Sequence, residues 1–205
     1  MSHHVLIVGA GRVGRALGSN LTRNGYEVRF AVRTPELASV GIEYAVPVEG
    51  AAIGYRRVIL AVPFSAVPEA VPLLGLEDGA VLIDATNPFG MKLPPGFASG
   101  AAVVASTAGP AVTVVKAFNV LGAEHMESPA LPDGRRPVLP VASDDSWALA
   151  RTVQLATKMG FDALSVGGLS AAATMEEAAR YWGLIAVTGG RGRRTVLVAD
   201  QRPSP

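Results

Sequence analysis

Cysteine is absent from all 205 residues, which removes disulfides, thiolate nucleophiles and iron–sulfur ligation. Histidine is scarce: His3 and His4 stand at the amino side of the first apolar run, and His125 lies in a segment that reads as a surface helix. Charged residues make up only 17% of the chain and the formal net charge is +1, so nothing global points to a nucleic-acid partner. Long apolar runs are missing too, although 49% of the residues are hydrophobic. The most apolar window, Val58 to Leu76, contains Glu69, Pro63, Pro68 and Pro72 and reads as a strand and loop rather than a span. No secretory leader precedes the first strand, so a cytoplasmic protein is expected.

What is present begins at His4. Val5-Leu6-Ile7-Val8 is an unbroken apolar run of the kind a parallel strand buried on both faces shows. Gly9-Ala10-Gly11-Arg12-Val13-Gly14 follows at once, a G-x-G-x-x-G. Val13, Leu17 and Leu21 then recur every fourth residue while Arg15, Ser19, Thr22 and Arg23 face away, giving an amphipathic helix that Asn24-Gly25 stops. Glu27 to Val32 reads as a second strand and closes a βαβ unit of dinucleotide-binding length. In such a unit the first glycine makes the tight turn, the second admits a pyrophosphate and the third lets helix and strand pack closely. The phosphates then meet backbone N–H groups at a helix N-terminus.

An NAD-preferring site places an acid at the end of the second strand. Ala31-Val32-Arg33-Thr34 stands there instead, with no carboxylate to repel a 2′-phosphate and with Arg33 able to hold one. The first acid, Glu36, lies beyond Pro35 in a helix candidate, Pro35 to Val40. Further strands are expected at Ile42 to Val46, Arg57 to Val62, Ala80 to Asp84, Ala111 to Ala117, Pro137 to Ala142 and Phe161 to Val166. Asp144-Asp145 caps a helix running to Met159, and Ser170 opens another with Met175, Ala178, Trp182 and Ile185 on one face and a Glu176–Arg180 pair on the other. The expected fold is α/β, a doubly wound parallel Rossmann sheet with a small C-terminal α/β appendage, over residues 1–190. Residues 191–205, with a weak strand at Val196-Leu197-Val198, are expected to be a basic, flexible tail.

With GAGRVG come Arg33, then ILAVPF, LIDATNP, VVKAFN-x-LGAE, VASDD and a GFD-x-x-x-x-G-x-L segment. Together these resemble the NADPH-dependent reductases of the deazaflavin coenzyme F420, over roughly residues 5 to 187. The same dinucleotide domain also forms the cytoplasmic part of membrane metalloreductases. The resemblance implies NADP as cofactor and hydride exchange between nicotinamide and a deazaflavin or flavin-like acceptor. It places Ala10, Gly11, Arg12 and Val13 at the pyrophosphate, with Gly9 and Gly14 shaping the turn. Val32 and Arg33 fall at the adenosine phosphate, Ala61, Val62 and Pro63 at the nicotinamide ribose, and Asn87, Pro88 and Asn119 on the nicotinamide and acceptor side. Val32 replaces a hydroxyl residue and Leu37 a second basic residue of the archaeal enzymes, which leaves Arg33 to hold the 2′-phosphate with little help.

Asp84 reads as a turn cap, with a catalytic carboxylate as the alternative. Lys116 reads as a strand-end charge reaching solvent. Arg135-Arg136 reads as a solvated loop, with the anionic tail of a deazaflavin as the alternative. Trp182 reads as core or dimer surface, and a homodimer is expected. No Tyr-x-x-x-Lys occurs at Tyr26, Tyr44, Tyr55 or Tyr181, and no large helical domain fits after residue 190. No acid–base residue is assigned, because ring-to-ring hydride transfer asks for positioning rather than a proton donor. A small-carbonyl reductase and an NADP-binding redox sensor without turnover are the alternatives.

Overall fold

In the computed structural model, residues 3–35 and 45–200 are described. All but Pro35 of the helix expected at Pro35 to Val40, including Glu36 and Leu37, and the first residues of the strand expected at Ile42 to Val46 lie outside the described residues, as do 201–205.

Six parallel strands form the main sheet: β1 (His4–Val8), β2 (Glu27–Val32), β3 (Ala45–Pro47), β4 (Arg57–Leu60), β5 (Val81–Asp84) and β6 (Thr113–Lys116). Their order is β3-β2-β1-β4-β5-β6, so the winding reverses between β1 and β4. At such a reversal two connections leave the carboxyl edge in opposite directions and open a crevice. The strands are short and apolar because both faces are covered. On one face Val5, Ile7 and Ile83 pack with α1 (Arg12–Arg23) and the appendage; on the other, Leu6, Val8 and Leu82 pack with α2 (Val67–Leu73) and α3 (Gly100–Ala108).

The helix α2 corrects the reading of Val58 to Leu76 as strand and loop. Pro68 falls in the first turn of α2, where a missing N–H breaks no intrahelical bond, and Glu69 lies beside that turn's positive end. The sixth strand begins at Thr113 rather than Ala111.

After β6 the chain forms α4 (Ala123–Glu127), β7 (Val138–Val141), α5 (Ser146–Lys158), β8 (Asp162–Ser165) and α6 (Ala172–Gly183), which runs into a π-helical turn at Leu184–Thr188. As expected, Asp145 caps α5, accepting from Ala148 N–H at 2.7 Å. The β7–β8 pair is parallel, and an antiparallel bridge between Ala142 and Lys116 joins it to the end of β6. Asn20, buried on α1, donates from Nδ2 to the carbonyls of Met126 (2.8 Å) and Met159 (3.1 Å), tying the Rossmann half to the appendage. Residues 196–198 add no strand; Val138 N–H donates to Leu197 O at 3.0 Å, one bond in place of a ladder.

The close approach of α1 to β1 is set by Gly14. A Cβ there would lie 2.1 Å from the Gly9 carbonyl oxygen and 3.3 Å from Ile7 Cγ2. Gly14→Ala should therefore lose about 1–3 kcal/mol of stability from overpacking, more than the ~1 kcal/mol that alanine gains over glycine in a helix. Urea unfolding of the purified variant reads the difference.

Candidate functional site

The carboxyl edge between β1 and β4 carries a groove in two connected parts. The first, a cavity of about 710 Å³, is lined by Gly9, Ala10, Gly11, Val32 and Arg33 on one side and by Ala61, Val62, Pro63 and Glu69 on the other. The second, about 390 Å³, shares Gly11 and Ala61–Pro63 and continues past Arg12, Val13, Asn87, Asn119, Glu124 and Trp182. Twelve of the fourteen residues expected at the cofactor thus line one groove; Gly14 lies off it, packed against the Gly9 carbonyl. Pro88 lies off it, packed against Gly100 at the start of α3.

The glycine turn shows why each glycine is there. Gly9 has φ +101° and its N–H donates to Ala31 O at 2.8 Å; a Cβ would strike Ala61 O at 2.6 Å. Gly11 differs, for it has an ordinary φ of −73° and a Cβ on it would meet nothing within 4 Å. The fold does not demand glycine at position 11, whereas a group lying in the groove would. No side chain caps α1 and no acid stands in its first turn, so the positive end of the helix faces the groove open. Arg15 Nε braces the turn by donating to Ala10 O at 2.8 Å.

At the far end of the first cavity Arg33 is exposed, as an anion-binding residue needs to be. The expectation that no carboxylate stands nearby is corrected: Glu49 lines the same cavity. Register is the cause, because β2 pairs with β3 through Val32 and Pro47, which brings residue 49 beside the end of β2. Local sequence spacing carries no sign of that neighbour.

The second cavity is built on a pair of amides. Asn119 Nδ2 donates to Asn87 Oδ1 (3.0 Å) and to Met175 O (3.1 Å), and Asn87 Nδ2 donates to Asn119 O (2.8 Å). Asn119 Oδ1 is buried and has no protein partner, an acceptor left over beside the cavity. Phe118, with φ +60°, is the one described non-glycine residue in the left-handed region. Held by an edge-on contact with Phe161, it turns the chain after β6 so that Asn119 faces its partners. Glu124, which the sequence reading left without a role, lines the cavity and pairs with Arg12.

Beneath the amides lies a charge cluster that corrects two readings. Lys116 does not reach solvent: its side chain is fully buried, and Nζ contacts Asp84 Oδ2 (2.9 Å), Glu176 Oε1 (3.2 Å) and Thr86 O (2.6 Å). Glu176 does not pair with Arg180. It lies on the buried face of α6 and accepts from the N–H groups of Gly100 (2.9 Å) and Ala101 (3.1 Å), while Arg180 pairs with Glu177. Asp84 also caps its turn as read, accepting from Thr86 N–H at 2.8 Å. Helical spacing leaves residues 176 and 180 neighbours on a helix surface, but which face is buried depends on the distant N-terminus of α3.

His125 is buried rather than on a surface helix. Its Nε2 lies 2.7 Å from Arg194 O, and Trp182 Nε1 donates to Thr195 O at 2.8 Å, so residues 193–195 lie against the outer wall of the second cavity. Arg135 and Arg136 sit elsewhere, in a separate cleft with Phe161 and Val198. Arg135 pairs with Asp133 at 2.7 Å and holds that exposed carboxyl below its ordinary range through the hydrogen bond.

A doubly wound parallel sheet, a glycine turn at its reversal point and a two-part groove along its carboxyl edge define a Rossmann-type NAD(P)-binding fold. Residues 4–88 match the family NADP oxidoreductase, coenzyme F420-dependent, and bear out the resemblance that the motifs carry. Metalloreductase STEAP3 of Rattus norvegicus is 32% identical over 175 residues, 83% of this chain; the chain spans 35% of that relative's length. Among solved structures, hypothetical protein SMa0349 of Sinorhizobium meliloti is 27% identical over 84% of this chain and 87% of its own (TM-score 0.71). A candidate F420-dependent NADP-reductase from Arthrobacter sp. FB24 shares the fold over 96% of this chain and 99% of its own (TM-score 0.84, 23% identity). A reductive aminase of Aspergillus terreus, in complex with NADPH, shares it over 93% of this chain and 64% of its own (TM-score 0.68, 16% identity). Among the described residues no helix is long and apolar enough to cross a membrane.

Removing the ammonium from the charge cluster isolates two buried carboxylates. Lys116→Met should cost about 3–5 kcal/mol of stability at neutral pH, measured by urea unfolding.

Proposed function

We propose that this chain binds NADP(H) along the carboxyl edge and exchanges hydride between the nicotinamide and a deazaflavin or flavin-like acceptor in the second cavity. The observation that carries the proposal is Gly11, a glycine that neither the backbone nor any protein neighbour requires, at an uncapped helix N-terminus in the middle of the groove. In this reading Gly9–Gly14 hold the pyrophosphate, Val32 and Arg33 the adenosine 2′-phosphate, and Ala61–Pro63 the ribose. Asn119 Oδ1, the leftover acceptor, takes an N–H of the nicotinamide carboxamide, with Asn87 fixing its orientation. Pro88 supports the start of α3 rather than the ring.

When bound, NADPH supplies the hydride. The chain's own residues orient and enclose. Phe89, Leu121 and Trp182 give the second cavity apolar walls that keep water from the reacting ring. The cavity lining contains no histidine, tyrosine or lysine; its one carboxylate, Glu124, pairs with Arg12 through Oε1 and leaves Oε2 without a partner. That composition supports ring-to-ring transfer, which needs positioning, over carbonyl reduction, which needs a proton donor at the forming alkoxide. A cytoplasmic setting and a homodimer belong to the same proposal; Tyr181, Leu184 and Val187, exposed at helical spacing, supply an apolar face for the second copy. So does the division into a 1–190 dinucleotide unit and a basic tail, although the tail is not free as expected: residues 194, 195 and 197 are held to the unit through their carbonyl oxygens.

Arg33→Ala should weaken NADPH by about 1.5–3 kcal/mol, the worth of one hydrogen bond to a charged group, and leave NADH unchanged; fluorescence titration with both nucleotides reads this. Gly11→Val should fold normally, since the groove has room for the side chain, yet lose nucleotide binding altogether. The acceptor is tested by following NADPH oxidation with a deazaflavin, FMN, ferric chelates and quinones. Turnover fastest with the deazaflavin or FMN supports the proposal; tight NADPH binding without turnover of any acceptor replaces it with the sensor reading.

A further inference from the structure

We infer that Lys116 is a positioning residue for the nicotinamide half of the groove, acting through Asn87 and Asn119; the inference rests on the NADP reading above. The ammonium gathers three elements at one point: Asp84 at the end of β5, Thr86 O in the loop after it, and Glu176 on α6. Each of these contacts lies next in the chain, or nearly so, to a group that fixes an amide. Thr86 directly precedes Asn87. Glu176 directly follows Met175, whose carbonyl accepts from Asn119. Lys116 itself is separated from Asn119 only by Ala117 and the left-handed Phe118. A shift of the ammonium would therefore move both partners of the amide pair and the carbonyl that holds it.

Stability alone does not account for the cluster. Three fully or nearly fully buried charges are expensive to desolvate, and apolar side chains of the same volume commonly serve a core as well or better. What the charges add is geometry, because an ammonium with three oxygen partners admits one arrangement of the strand ends and α6. The same arrangement leaves Asn119 Oδ1 as an unfilled acceptor beside the second cavity, where Glu124 Oε2 is another. None of Asp84, Thr86, Lys116 and Glu176 lines the adenosine half of the groove.

The test separates the two halves of the nucleotide. Glu176→Gln removes the charge that faces Lys116 and keeps one oxygen, enough for Ala101 N–H and the ammonium, while its NH2 takes the place of the oxygen that accepts from Gly100 N–H. We expect NADPH to bind about tenfold more weakly in this variant, the equivalent of one hydrogen bond, with loss of the nicotinamide fluorescence enhancement. The affinity for 2′,5′-ADP, which lacks the nicotinamide, should stay within roughly twofold. Adding Asn119→Ala to Glu176→Gln should weaken NADPH by no more than roughly twofold beyond Asn119→Ala alone, since both act through one amide. Asp84→Asn, which retains the acceptor for Thr86 N–H, gives the same comparison if Glu176→Gln does not fold. A folded variant with wild-type NADPH affinity and fluorescence overturns the inference, and so does an equal loss for both nucleotides, which marks a fold-wide effect. Wild-type protein that binds neither nucleotide overturns the NADP reading instead. The coupling is then decided in the ligand-free protein by the side-chain amide NMR signal of Asn119, which shifts in Glu176→Gln if the cluster positions it and stays in place if it does not.

Discussion

The contact between Gly14 and the Gly9 carbonyl sets the distance on which the rest of the structure depends. With no side chain between them, α1 begins directly above the end of β1, and its uncapped N-terminus opens into the groove instead of into the core. From that placement follow the docking of α4 on α1, the Asn20 bridge to Met126 and Met159, and the position of Glu124 opposite Arg12. Two glycines act on the protein and one on the space beside it. Gly9 and Gly14 are crowded by backbone, whereas Gly11 is surrounded by room.

The buried ammonium and carboxylates among the described residues meet at one place in the molecule. The two packing layers are almost entirely aliphatic, and nearly all the strand interior is Val, Ile and Leu. Lys116, Asp84, Thr86, Asn119 and Glu176 gather instead where β5, β6 and α6 meet. In a domain with little charge to spend, placing an ammonium there forgoes part of the hydrophobic gain and returns a single well-defined geometry. The left-handed Phe118 belongs to the same economy of form: its ring is seated in the core by Phe161, and that seat holds the backbone turn that follows.

The parallel sheet was legible because buried strands leave continuous apolar runs and the glycine motif fixes its own neighbours; the strand ends fall within two residues of where Val5-Val8, Glu27–Val32 and Ala80-Asp84 put them. The helix start at Asp145 was legible for a similarly local reason. What escaped was everything decided by contacts between distant segments. Lys116 looks like a solvated strand end until Glu176 arrives from 60 residues away. Glu176 looks paired with Arg180 until two N–H groups of α3 claim it. Glu49 enters the first cavity through the pairing of β3 with β2, and His125 finds its partner in the carbonyl of Arg194, 69 residues on.

The segment from residue 193 to 197 is attached in a particular way. His125 and Trp182 grip the carbonyl oxygens of Arg194 and Thr195, and Val138 grips that of Leu197; none of these bonds involves a side chain of that segment. A wall fastened by its main chain is indifferent to what it displays. Residue 193, which faces the second cavity, can be exchanged for a residue of another size or charge without loosening the attachment. The rim of the groove is thereby open to sequence drift while its frame stays fixed.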